Sequence, residues 1–153
     1  MDVLTAILSV ASALAWVTLG GGLYEAIVVD PVWPLRPDLI QPSQGGLSRK
    51  RFWICAHTCF EVALGTSLWI GWSSTDVRRW LFLALFIHAT MRLWSLFDFI
   101  PKALNFERSG DFTAVDARRW TRRSRMRLLM DLGTCTAMLM ALLTAAAYGA
   151  SAP

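Results

Sequence analysis

The sequence is poor in charge, since only 17% of its 153 residues are charged while 55% are hydrophobic. Soluble domains carry about 25% charged residues, so this composition lies outside the usual soluble range. The chain also lacks internal repeats and low-complexity segments, which favours one domain spanning residues 1–153. Cysteine is scarce, and Cys55 and Cys59 lie four apart on one predicted helix, where their side chains do not take bridging geometry. We therefore expect these two and Cys135 to be free apolar side chains.

Long apolar runs are what the sequence has in abundance. A bilayer core needs about 20 apolar residues in a helix, and four segments reach that length, at 3–29, 52–72, 80–100 and 128–148. The first segment opens with Met1 and Asp2 and lacks the positive residues that precede a signal sequence, so we expect it to stay in the mature protein. The sequence predicts an all-α, multi-pass membrane protein.

The basic residues predict how the four segments are oriented. They concentrate in the first and third loops, with only Arg78 and Arg79 in the second. Positively charged loops stay in the cytoplasm, so both termini are expected on the outer side. Because the connections are short, we expect one up-down four-helix bundle.

The densest basic stretch is ARRWTRRSRMR at 117–127. Clustered Arg with aromatic residues is typical of nucleic-acid binding. A cationic segment beside a spanning helix also attracts anionic lipid and fixes topology. We favour membrane lipids as partners of this stretch and expect no nucleic acid.

Ionisable residues inside the apolar segments predict a functional site. A charge at mid-membrane costs about 2.5 to 3.5 kcal/mol on insertion scales, so such side chains face the protein interior or water. At 1.5 Å per residue, Glu25, His57 and Asp131 lie about 5 to 8 Å below the inner boundary, and Glu61, Arg92 and His88 lie about 12 to 18 Å deep. The sequence therefore predicts one polar layer in the cytoplasmic half and none in the outer half.

Helix phase groups these residues into stripes with small neighbours. At 100° per residue, Gly21, Gly22 and Glu25 share one face of the first helix, so glycine either allows close helix contact or leaves a cavity above the carboxylate. The other predicted stripes are His57, Glu61 and Gly65 on the second helix, His88, Arg92 and Ser95 on the third, and Asp131, Thr134, Cys135 and Met138 on the fourth.

Each ionisable residue also has a purely structural explanation. Arg92 can pair with Glu61 or Asp131 and lock the helices, and Glu25 can reach the inner boundary. His88 can be a core histidine bonded to a helix carbonyl. Three acids against one permanent cation still leave two carboxyl groups, which must be protonated, matched by an imidazolium or bound to a metal cation. All three outcomes are typical of functional sites.

Four segments of the sequence resemble a known family. GGGLYEAIVVDPVW (20–33), RFWICAHTCFE (51–61), HATMRLWSLFDFIPKALNFE (88–107) and RRWTRRSRMRLLMDLGT (118–134) are similar to the anthrone oxygenase-like group of small four-helix bacterial membrane proteins, largely a domain of unknown function. The resemblance implies a four-helix fold in the bacterial inner membrane. For the named members it implies oxidation of a reduced polycyclic phenol to a quinone by dioxygen without an evident cofactor. The set of His57, Glu61, His88 and Arg92 departs from typical members.

The leading hypothesis is an oxidoreductase or monooxygenase for a flat, lipophilic phenolic or quinone-like substrate. His57 or Glu61 would remove a proton, and Arg92 would stabilise the resulting anion. Glu25 and Asp131 would orient groups or relay protons. The ring system would occupy a substrate pocket formed by Gly21, Gly22, Gly65, His88 and Thr134.

Two other classes of function stay open. A metal ion or haem, with iron, copper or zinc as the metal, could use Glu25, His57, Glu61 and His88, although an Arg beside a dication is unfavourable. We predict no cofactor as the first choice. The third class is a non-enzymatic carrier of protons or small molecules, or an accessory membrane subunit, and about 150 residues would suit a transporter that forms a homo-oligomer.

Overall fold

The computed structural model describes residues 2–108 and 112–151, and within these ranges the chain is helical and contains no strand. The long helices are α1 (Val3–Tyr24), α2 (Arg49–Ile70), α3 (Thr75–Trp94) and α6 (Met126–Ser151). Two shorter helices, α4 (Ile100–Arg108) and α5 (Ala114–Ser124), lie between α3 and α6. The predicted all-α class is confirmed.

In the part of the chain that the structure describes, three continuous helical stretches are long and apolar enough to cross a membrane, namely Val3–Val29, Thr75–Arg108 and Ala114–Tyr148. Helix α2 has 22 residues but is not among them, because His57 and Glu61 lower its hydropathy. Large apolar side chains are exposed along the helices, and Trp69, Phe86 and Phe97 are at least 70% exposed. Such broad exposed apolar surfaces indicate a lipid environment.

Two helices widen into π-helical turns at the same end of the molecule. Helix α1 continues as a π-helix over Glu25–Val29, and α3 continues over Ser95–Phe99 into α4. The predicted first segment therefore has the bounds of the observed helix, whereas the helix predicted at 80–100 begins earlier and continues through α4. The prediction of a basic third loop is wrong in part, because α5 is a helix in this region. The Thr113 hydroxyl caps this helix by accepting a hydrogen bond from Asp116 N.

The end of the molecule that holds residues 30–48, α4 and α5 is called the basic end below. The chain there folds through three short 3₁₀ turns that bury Trp33 and Ile40. Trp33 packs edge-on against Phe112 and Trp120, and it also contacts Phe106. This aromatic cluster joins the segment after α1 to α4 and α5.

A second core fills the other half of the molecule. Helix α6 packs along both α1 and α3, and α1 also packs along α2. Small side chains make up half of this core, and Ala11, Ala15, Ala84 and Ala141 are fully buried. Small residues let membrane helices approach closely, so this half is tightly packed.

Candidate functional site at the basic end

A cavity of about 330 Å³ lies between the helices at the basic end. Every one of the six helices contributes to its wall, as does Asp30 just after the first π-turn. Five of the residues predicted for the site line it, namely Gly22, Glu25, His57, Arg92 and Asp131. Residues from four different helices therefore meet at one cavity.

Glu25, Trp53 and His57 form one side of the wall. The Glu25 carboxylate accepts a hydrogen bond of 2.9 Å from Trp53 Nε1. The Trp53 indole stacks on the His57 imidazole with ring centroids 5.3 Å apart. His57 is buried, and its Nδ1 has no hydrogen-bond partner among the described residues. A buried ring nitrogen without a partner is uncommon, so this atom is a candidate to meet a ligand or a proton.

Arg127 and Asp131 form the facing part of the wall, one turn apart on α6. Asp131 is buried, and the Arg127 guanidinium lies 4.6 Å from the centroid of the Phe99 ring. Arg127 also donates a hydrogen bond of 3.3 Å to Ser95 Oγ, and its charge acts on Glu25 and Asp131. In the sequence Arg127 belongs to the predicted basic loop, so the expected balance of three acids against one cation omits it.

Glu61 and His88 lie outside the cavity wall. Glu61 Oε1 accepts a hydrogen bond of 2.9 Å from Arg92 Nε and lies 3.3 Å from His88 Nε2. The Glu61 side chain is 44% exposed, whereas His88 is buried with its ring edge-on to Phe60. Of the two partners considered for Arg92, the structure shows Glu61. The polar stripes of α2 and α3 therefore contact each other, but only His57, Arg92 and Ser95 of these stripes line the cavity.

The two glycines above Glu25 differ in their surroundings. A Cβ on Gly21 would overlap the Phe52 ring, so an aromatic side chain fills that space. A Cβ on Gly22 would lie 2.6 Å from Leu128 Cδ2 and 3.9 Å from Asp131 Oδ2. Gly22 therefore both lines the cavity and allows close contact with α6, whereas Gly21 does not line it.

Gly65 and Thr134 also lie outside the cavity. Nothing approaches within 4 Å of a Cβ built on Gly65, which is exposed at the surface of α2. Thr134 is buried, and its hydroxyl donates a hydrogen bond of 3.0 Å to the Met130 carbonyl of its own helix. Both residues share a helix face with a site residue but lie too far along the helix to reach the cavity.

A group of potential metal ligands lies at the edge of the cavity. Ligand atoms of His57, Glu61 and His88 lie within 4.8 Å of one another. Glu25, which was predicted to join them, is not in this group, and its carboxylate accepts a hydrogen bond from Trp53. Arg92 binds Glu61 and would have to release that carboxylate to a cation.

Asp30 is a cavity residue that the sequence analysis missed. Its carboxylate is buried and accepts a hydrogen bond of 3.1 Å from Trp33 Nε1. Burial raises the pKa of Asp30 above its ordinary value, although the hydrogen bond from Trp33 opposes that shift. The only sequence signal for this residue is its position directly after an apolar run.

No family model, curated protein or solved structure matches the chain. The resemblance to the anthrone oxygenase-like group therefore stays a prediction from sequence motifs. The chemistry of the cavity has to be argued from its own residues.

Proposed function

We propose that the protein is a membrane oxidoreductase that oxidises a flat, lipophilic phenol to a quinone with dioxygen. One oxygen atom enters the substrate as a carbonyl, and the other leaves as water. The observation that carries the proposal is His57, whose Nδ1 has no hydrogen-bond partner among the described residues and which lines a cavity whose wall also holds carboxylates and guanidinium groups. Removing an acidic proton and stabilising the resulting anion require such a combination of base and cation.

The contacts distribute the roles among the cavity residues. His57 is a better base than Glu61, because Glu61 is paired with Arg92 and does not line the cavity. Arg92 and Arg127 stabilise the substrate anion. Glu25 and Asp131 orient polar groups or relay protons between the base and solvent.

We further propose that α2 is a fourth membrane span in an up-down four-helix bundle. Its 22 residues extend about 33 Å at 1.5 Å per residue, which matches a bilayer core. The basic end would face the cytoplasm of a bacterial inner membrane, with both termini outside, because positive segments are retained inside. A reporter that is active only outside the cytoplasm, fused to the C-terminus, tests this orientation, and an inactive but expressed fusion contradicts it.

The proposed reaction can be measured with the purified chain in lipid nanodiscs. A reduced polycyclic phenol such as anthrone is supplied with dioxygen, and quinone absorbance and oxygen consumption are recorded together. We expect His57→Ala and Glu25→Gln to slow turnover by about 10²-fold or more, the usual contribution of general acid–base catalysis. Glu25→Gln should keep substrate affinity, because the amide oxygen can still accept from Trp53.

Thr58→Ala is the matched control, since Thr58 is the exposed neighbour of His57 on the same helix. It should leave turnover unchanged. Full turnover in His57→Ala would remove His57 from the role of base. The absence of any quinone with folded wild-type protein would refute the reaction.

A metal-dependent redox protein is the second candidate. It is favoured by the proximity of the possible ligand atoms of His57, Glu61 and His88. Two imidazoles and a carboxylate suit iron, copper or zinc. Elemental analysis and an absorption spectrum of protein purified without added metal test this candidate. Less than one-tenth equivalent of metal, with no increase after incubation with each ion, would exclude it.

A further inference from the structure

At the basic end of the molecule, the cavity wall contains a buried cation that contacts two tryptophans. Arg49 is the first residue of α2, and its side chain is only 8% exposed. Its guanidinium lies 5.6 Å from the ring centroids of both Trp33 and Trp120. Cation–π contacts stabilise a desolvated guanidinium and fix its position. Aromatic rings rather than a hydrogen-bonded carboxylate therefore hold this charge in place.

Donors of Arg49 itself and of the adjacent Trp120 lack an acceptor among the described residues. Arg49 Nε, Arg49 Nη2 and Trp120 Nε1 are buried and make no hydrogen bond within the described part of the chain. Glu107 Oε1 lies 3.6 Å from Arg49 Nη2, which allows charge compensation but is too long for a hydrogen bond. Buried donors almost always have a partner. Arg49 and Trp120 both line the cavity, so a small rotation of their side chains would present these buried donors to an acceptor on a molecule inside it.

The start of α2 adds to the positive potential at the same place. The N-cap residue Ser48 makes no side-chain hydrogen bond to the first turn of this long helix. A helix N-terminus presents backbone N–H groups and carries a partial positive charge, so it attracts anions. The helix terminus and the Arg49 side chain therefore favour the same kind of ligand.

Other charged groups line the cavity. Lys50 and Arg125 are two further cations of its wall, and Asp30 and Glu107 are the carboxylates on which Arg49 acts. Asp30 already accepts a hydrogen bond from Trp33, and its burial favours the neutral form. The carboxylates therefore do not satisfy the unpartnered donors of Arg49 and Trp120.

We propose that the basic end of the cavity binds a phosphate group through the N–H donors of Arg49 and Trp120 and the N-terminus of α2. The planar guanidinium can donate two parallel hydrogen bonds to one phosphate, and the indole N–H can donate a third. A lipid headgroup and inorganic phosphate present the same chemistry. The inference does not depend on the proposed oxidation, because it concerns binding alone.

Binding is measured on the full chain in a neutral detergent after removal of lipid. Inorganic phosphate and short-chain phosphatidic acid are titrated separately, with the matching neutral diacylglycerol as the third arm, and affinity and melting temperature are recorded. A response to inorganic phosphate identifies a free-ion site. A response to phosphatidic acid alone identifies a headgroup site. No response to either phosphate compound, or an equal response to diacylglycerol, overturns the proposal.

Trp120→Phe removes the N–H donor and keeps a smaller aromatic ring beside Arg49. We expect about 10-fold weaker phosphate binding, the usual effect of removing one hydrogen bond to a charged group. The melting temperature should also fall, because the smaller ring leaves space in the buried aromatic cluster. Arg49→Lys keeps the charge and loses the planar fork, so it should weaken binding at least as much.

Arg51→Gln is the matched control. Arg51 is exposed, lies two residues from Arg49 on α2 and does not line the cavity. Arg51→Gln removes a whole positive charge, which Arg49→Lys does not, and should still change the affinity by less than about 2-fold, since exposed charges are largely screened. Equal affinities for wild type, Trp120→Phe and Arg51→Gln would contradict the proposed site.

Discussion

Away from the basic end, α1, α3 and α6 pack around fully buried alanines and larger apolar side chains, whereas at the basic end the same helices line a cavity. Among the described residues, His57 Nδ1 and Arg49 Nε at the basic end are buried without a hydrogen-bond partner, and the apolar half contains one such atom, Ser12 Oγ. Unpartnered buried polar groups reduce stability. We infer that packing in the apolar half offsets the stability that the unpartnered groups at the basic end cost.

The largest effect is expected from adding the same side-chain volume to each half. Ala141 is fully buried in the apolar core, whereas Ala26 lines the cavity. Ala141→Leu should lower stability by about 1 to 3 kcal/mol, because a well-packed core strains when it is overfilled. Ala26→Leu should change stability by less than about 0.5 kcal/mol and reduce ligand binding, because leucine occupies free volume.

Denaturation of both variants in the same detergent measures the difference. Equal losses of stability would mean that the cavity closes in solution. The distinction between a packed half and an open half would then fail.

An intermediate effect is expected from the hydrogen bond between Trp53 and Glu25. Trp53→Phe keeps a ring against His57 and removes the N–H that bonds Glu25 at 2.9 Å. We expect the free energy of unfolding to fall by about 1 kcal/mol, the typical net contribution of one hydrogen bond. Trp69→Phe is the control, since Trp69 is 84% exposed on the same helix. A similar loss in both variants would show that the hydrogen bond to Glu25 does not account for the change.

The smallest effect is expected at Asp30, and it depends on pH. Burial raises the pKa of this carboxyl, so the folded state binds its proton more tightly than the unfolded state does. The stability that this group contributes is fully present below its unfolded pKa and is lost as pH rises through the folded value. Asp30→Asn should therefore be more stable than wild type at neutral pH and lose less stability as the pH is raised from acid. Melting temperatures of wild type and Asp30→Asn, recorded in parallel across that pH range, measure the difference. A wild type that gains stability relative to Asp30→Asn as the pH rises would contradict the prediction.

The sequence predicts the long helices well because bilayer thickness and chain hydropathy determine them. The end of the first helix at Val29 is predicted because Pro31 and Pro34 follow it. The helix after Trp94 is harder, since Pro101 suggests an end, yet it lies within the first turn of α4, where proline is tolerated. Helix α5 is missed because its apolar face contacts the aromatic cluster at the basic end, a partner that hydropathy along the chain does not reveal.

The sequence identifies a cavity residue only where its depth in the membrane and its helix face together determine its position. Glu25, His57 and Asp131 lie at similar depths and reach one cavity. Glu61 lies on the same stripe as His57 but outside the cavity, because the position of a stripe depends on how the neighbouring helix is rotated. Arg49 is missed for another reason. It precedes the apolar segment in sequence, and only the folding of residues 30–48 and α5 over the helix end buries it.

The π-helical turns at Glu25–Val29 and Ser95–Phe99 have a consequence for how related chains are compared. A π-turn closes its hydrogen bonds over five residues, as Asp30 N does to the Glu25 carbonyl at 2.8 Å, so it contains one residue more than an α-helical turn. Removing that residue would rotate the following side chains by about 100° and present others to the cavity. Two chains of equal hydropathy that differ by one residue here would therefore share a fold but not a ligand. An alignment should place its gaps at these two turns before it equates any cavity residues.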